Sequence, residues 1–244
     1  MNPQTTFQPY QPKVVLAVGA HADDIDFGAA GSVAKWAADG AEVHYLVVTD
    51  GSKGSDDRNM TGEQLRAMRQ VEQRSAAAVL GAKEVHFLDY EDGALEVTMP
   101  LKKDIVRIIR QIRPDTVVVI DPTFLYSSEL GLINHPDHRA AGQATVDAVF
   151  PLARDHMSFP ELLNEEKLEP HKVAHLLLIG LDKSNYVVDI TATLDTKVEA
   201  LKRHVSQFSS VEALTDTIRQ RAEMLGSKIG ARYAEGFVRI DCMP

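Results

Sequence analysis

Two short strings concentrate the reactive side chains of this sequence: His21-Ala22-Asp23-Asp24 and His135-Pro136-Asp137-His138. Imidazoles and carboxylates are the usual ligands of zinc. Three protein ligands with a fourth open position mark a catalytic site rather than a structural one. His21, Asp24 and His138 make such a set, two imidazoles and one carboxylate, with Asp23 left to face a reacting water. The spacing of three puts His135 and His138 on one face of a helical turn. A donor set of this kind accepts iron, cobalt or nickel as well as zinc. Taken singly, a histidine is more often a packing or surface residue, and an Asp-Asp pair after a strand more often a turn or a helix cap. The argument for a metal rests on both strings falling at strand ends.

Short apolar runs and helical stretches alternate around these strings. Strands are expected over 14–18, 42–48, 85–88 and 116–120, and helices over 28–39, from Thr61-Gly62-Glu63-Gln64 to 80, over 99–112 and over 136–149. Thr61 with Gln64 reads as a capping box, and Gly40 and Gly81 as stops. Pro136 fits the first position of its helix, with Asn134 or His135 as cap. That helix N-terminus disfavours imidazolium and keeps His138 available to a metal. The β-branched strands and the βαβα order predict a Rossmann-like three-layer α/β/α fold with a mostly parallel sheet. In such sheets ligands bind at the C-terminal strand ends, where His21, Asp23, Asp24 and Asp121 fall. Beyond about Phe150 the pattern predicts strands over 176–179, 186–190 and 237–240. Helices are expected over 194–207, where His204 and Gln207 would share a face, and over 211–229. They read as a C-terminal elaboration over the active edge. Residues 1–12 read as a flexible arm and 13–244 as one domain.

Composition narrows the function. The chain has 244 residues, 44% hydrophobic and 25% charged, with net charge -9. These values suit a globular protein and argue against a nucleic-acid surface. No apolar run is long enough for a membrane span, and the Gln- and Pro-rich start does not read as a signal peptide. The single cysteine, Cys242, excludes an internal disulfide framework, which fits a cytoplasmic location. The polar loop over 51–60 is long enough for a lid, or is a plain surface connection. His44, His86, His156, His171 and His175 have no comparable partners in sequence and read as structural. A nucleotide-binding Rossmann module without metal is the competing class. Gly19, Gly28 and Gly31 surround the first strand-to-helix turn, but G-x-G-x-x-G spacing is absent, and Asp23, Asp24 and Asp26 would repel a pyrophosphate there.

Over most of its length the chain resembles the LmbE/PIG-L family of zinc-dependent de-N-acetylases. The family's A-H-P-D-D-x-E stands here as Ala20-His21-Ala22-Asp23-Asp24-Ile25-Asp26, and its H-P-D-H as His135 to His138. Weaker matches are Thr49-Asp50-Gly51, Arg69 with Glu72, Asp92-Gly93, Pro114-Asp115, the stretch from His204 to Gln207, and Tyr233-Ala234-Glu235. The resemblance implies zinc on His21, Asp24 and His138. It implies Asp23 as general base, and His135 as the residue that stabilises the oxyanion or protonates the leaving amine. Arg69 and Asp92 match positions that contact the sugar in some members. Asp26, Asp121 and Asp137 are expected to support the ligands; Asp121 is the candidate carboxylate beside His135, and Asp137 is expected on the other side of its helix. The implied reaction releases acetate and a free amine from an N-acetylglucosamine-type sugar or conjugate, in a homo-oligomer, trimer or hexamer. Ala22 for proline and Asp26 for glutamate depart from the pattern, and a weakly active metal-binding relative is the alternative they raise.

Overall fold

The computed structural model describes residues 10–129, 131–180, 183–208 and 211–243, and residues 1–9 of the expected arm lie outside them. The strands are β1 (Val14–Gly19), β2 (Glu42–Thr49), β3 (Glu84–Tyr90), β4 (Thr116–Ile120), β5 (Tyr126–Ser127), β6 (Leu132–Ile133), β7 (His175–Ile179), β8 (Tyr186–Asp189) and β9 (Ala234–Asp241). The α-helices are α1 (Asp24–Ala38), α2 (Gly62–Leu80), α3 (Met99–Ile112), α4 (Pro136–Asp147), α5 (Pro160–Asn164), α6 (Leu194–Leu201) and α7 (Val211–Gly226). Seven strands form one sheet in the order β3-β2-β1-β4-β7-β9-β8, and β5 and β6 pair as a small hairpin. The ladders β3-β2-β1-β4-β7 are parallel, and β9 runs antiparallel to both neighbours. This is the expected mostly parallel α/β architecture.

Each face of the sheet buries its own core. Val15, Ala17, Tyr45, Val118 and Leu177 pack under α1, α2, α6 and α7. Leu16, Val18, Leu46, Val117 and Leu176 pack under α3 and α4. The alternation along β1 and β4 sends successive residues to opposite layers. Gly142 lets α4 approach the end of β4: a Cβ there would lie 2.5 Å from the Ile120 carbonyl oxygen. That approach sets the His135–His138 turn beside the β1 end.

Helix boundaries differ from the sequence expectation, most clearly in α1, α4 and α6, while α7 ends at Gly226 rather than at 229. α1 begins at Asp24 rather than Gly28, and its first turn contains Asp24 and Asp26, which favour a helix N-terminus. Gly28 and Gly31 are interior positions of close packing, where a Cβ would lie 2.6 Å from Ile179 and 2.7 Å from Ile190. The helix expected over 136–149 gives way after Asp147 to a π-turn over Ala148–Leu152. Phe150 is extended there (φ -143°, ψ 121°), as a residue before proline is driven to be. The helix expected over 194–207 stops at Leu201, so His204 and Gln207 stand in turns and share no helical face. Tertiary hydrogen bonds described below claim those residues instead.

Candidate active site

The first string forms the turn between β1 and α1. Asp23 caps α1 in the left-handed region (φ 85°), a conformation in which Asp and Asn are favoured over most residues. The strained turn is clamped from two sides. The Asp23 N–H donates to Gln73 Oε1 at 3.0 Å, and Gln207 Nε2 donates to the Ala22 carbonyl at 3.0 Å. The His21 N–H donates to Asp24 Oδ2 at 2.8 Å. The bond from Gln207 thus holds the backbone at position 22.

The second string opens α4. His135 is the N-cap, and its Nδ1 accepts from the Asp137 N–H at 3.2 Å. A ring nitrogen that accepts carries no proton, so the neutral imidazole presents Nε2–H. His138 Nδ1 lies 3.0 Å from Asn134 Oδ1, an acceptor, which assigns the proton to Nδ1 and leaves the Nε2 lone pair for a ligand. That lone pair faces Asp24 Oδ1 at 3.0 Å, and His21 Nδ1 lies 3.7 Å from Asp24 Oδ2. Donors on a tetrahedral zinc stand about 3.4 Å apart, given bonds of about 2.1 Å. Asp24 thus presents one oxygen to each ring, Oδ1 to His138 and Oδ2 to His21, and the donor types of the three groups suit a divalent metal. Nitrogens of His21, His135 and His138 also lie within 4.8 Å of one another.

The remaining nitrogen of His21 is held from behind. Nε2 lies 3.2 Å from Asp137 Oδ2 and 3.2 Å from Asp92 Oδ1. Asp137 is fully buried and faces His21, not the other side of its helix as expected, because its carboxylate also accepts from the Gly93 and Leu95 N–H groups. Burial opposes its charge, but the His21 hydrogen bond and those two N–H groups hold its carboxyl down to about 2. Burial likewise opposes charge on His21, yet Asp137 and Asp92 raise its pKa to about 10. A carboxylate behind a ligating imidazole fixes its tautomer and orientation, the usual arrangement at metal sites.

The two neighbouring aspartates are pushed in opposite directions. Burial, then the charges of Asp24 and Asp26, raise the Asp23 pKa well above the ordinary carboxylate value. Burial also opposes charge on Asp24, but His138 and His21 hold it below the ordinary value. His135 is pushed down by burial and by His21. Asp121 does not stand beside His135. It caps its own loop, accepting from Thr123 N–H and Oγ1 at 2.8 and 2.7 Å, and Asp137 is the nearer carboxylate, 4.0 Å from His135 Nδ1.

Arg69 and Asp92 are both buried and engaged with protein. Arg69 Nη1 donates to the Gly51 and Lys53 carbonyls at 2.8 Å each, and Nη2 to Gln207 at 3.2 Å. Asp92 accepts from the Lys53 N–H at 3.0 Å. The two pin the start of the loop over 51–60, whose middle is exposed and does not line the cleft described below.

Asp26 anchors the layer beneath. It is 0% exposed and accepts from Tyr45 at 2.9 Å, Gln73 Nε2 at 2.8 Å and His204 Nε2 at 2.7 Å. The shorter side chain thus still reaches three donors. Gln73, which sequence reasoning missed, joins Asp26 to the Asp23 turn. Its signal was a polar stripe on α2, Arg69, Glu72 and Gln73, on the face that also buries Leu65, Ala76 and Leu80. Asp26→Ala strands three buried donors, and unfolding in urea is expected to show a loss of about 3–5 kcal/mol. A loss under about 1 kcal/mol would show that the network can be dispensed with.

A cleft of about 380 Å³ opens over these groups, lined by Asp23, Asp24, Asn134, His135, His138 and Arg221 among apolar side chains that include Phe124, Ile133 and Phe208. Phe208 and Arg221 come from the C-terminal part of the chain, which therefore reaches the active edge as well as extending the sheet.

Comparison with known proteins places this geometry in context. A family model described as PIG-L, GlcNAc-PI de-N-acetylase, matches residues 16–149. The diacetylchitobiose deacetylase of Thermococcus kodakarensis is 35% identical, over 92% of this chain and 82% of that protein. A probable N-acetyl-α-D-glucosaminyl L-malate deacetylase of Bacillus anthracis is 27% identical over 80% of this chain and 82% of its own. Among solved structures, the inhibitor complex of N,N'-diacetylchitobiose deacetylase from Pyrococcus horikoshii aligns with a TM-score of 0.86 at 33% identity, covering 94% of this chain and 84% of that one.

Proposed function

The chain belongs to the PIG-L de-N-acetylase family, and from that premise we propose that it is a zinc-dependent amidase that removes the acetyl group from an N-acetylglucosamine-type sugar, releasing acetate and the free amine. Short N-acetylglucosamine saccharides of the diacetylchitobiose type are the first substrates to test, given the relatives that this chain resembles. The observation that carries the reading is the convergence of His21 Nδ1, Asp24 and His138 Nε2, each imidazole turned by an acceptor on its other nitrogen.

These three residues would hold the metal, with Asp137 and Asn134 orienting the two rings. A divalent ion bound there supplies Lewis acidity toward the amide carbonyl and the attacking water. Asp23, with its raised pKa and its place in the cleft wall, takes the proton from that water and returns it to the departing amine. His135 presents Nε2–H as a neutral donor toward the oxygen on which charge develops. The lowered pKa of His135 favours donation over a charged role. The apolar side chains of the cleft would take the less polar faces of the sugar ring and exclude bulk water.

The experiment is acetate release from diacetylchitobiose and N-acetylglucosamine by zinc-loaded protein. Turnover is expected with at least one of them, lost on chelation and restored by adding zinc back. Chelator-insensitive turnover would remove the metal from the reaction, and silence with a panel of N-acetylated amino sugars would remove the substrate class.

A further inference from the structure

A second group of metal-type donors lies away from the cleft, toward the opposite end of the sheet. His44 stands near the start of β2, and Glu84 and His86 near the start of the edge strand β3. The parallel ladder registers His44 with Glu84 and Leu46 with His86, so the three side chains meet across one strand pair. His44 is buried, and its ring stacks with that of His86 at 5.6 Å. His44 Nδ1 faces His86 Nε2 at 3.3 Å, and Glu84 Oε2 lies 3.7 Å from the same His86 nitrogen. One ligand atom from each of the three lies within 4.8 Å of the others.

The tautomers are set by their surroundings. His44 Nε2 lies 2.9 Å from Glu42 Oε1. Lys83 Nζ also pairs with Glu42 Oε1 at 2.6 Å, so Glu42 stands as a carboxylate and only accepts. His44 therefore carries its proton on Nε2 and turns the Nδ1 lone pair toward His86. The carboxylate behind His44 repeats the relation of Asp137 to His21 in the cleft. The separations of 3.3 and 3.7 Å again suit donors sharing one ion.

We propose that His44, His86 and Glu84 form a second site for a divalent transition metal, separate from the cleft, which ties edge strand β3 to β2. Two imidazoles and one carboxylate select zinc, nickel, cobalt or copper over magnesium or calcium. Along β2 it stands about 16 Å below the catalytic edge, from five residues at about 3.3 Å each. β3 is bonded on one side only, and it leads into the turn whose Asp92 and Gly93 contact His21 and Asp137. A cross-strand ion would therefore steady the strand that feeds the active turn without touching the reaction.

The test is zinc stoichiometry by equilibrium dialysis on the full chain, with wild type, His86→Gln, Glu84→Gln and His138→Ala compared. Wild type is expected to take up two equivalents and His86→Gln one, with acetate release unchanged in His86→Gln. His138→Ala is expected to keep the β2–β3 equivalent. Excess nickel is expected to raise the Tm of His138→Ala by about 5 °C, an effect absent when His86→Gln is added. Glu84 is exposed, so Glu84→Gln stands in should His86→Gln fail to fold by circular dichroism; it is expected to weaken the second equivalent tenfold or more. Wild type saturating at one equivalent overturns the proposal, as do two equivalents retained in both β3 variants. Metal lost only in His138→Ala would leave the cleft site standing and this one refuted.

Discussion

Asp23→Asn is expected to keep its metal and lose about 10²–10⁴-fold in kcat on the best N-acetylated substrate. Asparagine is nearly isosteric and shares with aspartate the tolerance for the left-handed backbone that residue 23 adopts at φ 85°. The clamp from Gln73 is made to the backbone N–H, so the substitution leaves it in place. What disappears is the one carboxylate lining the cleft whose pKa is driven upward, by burial and by Asp24 and Asp26, which makes it the stronger base of the pair. Steady-state kinetics and metal analysis on one preparation decide it. Near wild-type turnover would move the proton transfer to another group, with His135 the next to examine. Loss of metal would make Asp23 a ligand.

His138→Ala is expected to lose the cleft metal, to below about a tenth of an equivalent after dialysis, and acetate release with it. Removing this ring leaves His21 and Asp24, two protein ligands where a catalytic zinc takes three. His135 does not substitute, because its Nδ1 is occupied as the helix cap and its ring is placed by that bond. The loss should not be a folding defect. The His138 side chain is 25% exposed and lies outside the two apolar cores, so the variant should keep its fold by circular dichroism, with a lower Tm from the partner lost to Asp24. Full zinc content at the cleft in this variant would exclude His138 from the ligand set.

The parts of the fold that were legible in sequence are those whose signals are local. α3 runs over Met99–Ile112 as expected, because Thr98 caps it, Pro100 sits in its first turn, and Arg113 closes it in the left-handed region ahead of Pro114. The α2 capping box forms between Thr61 and Gln64 as read. The order of the far strands was not legible. β9 inserts between β7 and β8 through pairings that no short-range pattern encodes.

The candidate site divides along the same line. His21 and His138 are both brought against Asp24, because each string sits on a strand end or helix start that sequence locates. Their supports depend on which way a side chain turns after packing. Asp137 faces inward because the Gly93 and Leu95 N–H groups need an acceptor, while Asp121 is satisfied by Thr123 two residues on. Gln73 and the His44–His86 pair act across long sequence separations, 50 residues from Gln73 to Asp23 and 42 between the histidines, so neither partner announces the other.

β9 also gives the molecule an order of assembly. In the sheet β8 has β9 as its neighbour, and Glu235 on β9 accepts from the Gly31 and Ser32 N–H groups of α1 and from Lys197. During synthesis, β1 to β4 and their helices can emerge and begin to pack while β8 still lacks a partner and α1 lacks its brace. The residues that would bind metal are made early, but the helix that carries Asp24 gains its buried carboxylate partner only when Glu235 arrives. A chain stopped before β9 would display the reactive residues on an unbraced frame, with an apolar strand edge open to other chains. The strand that covers the β7 edge is thus the same one that brings α1 its buried acceptor.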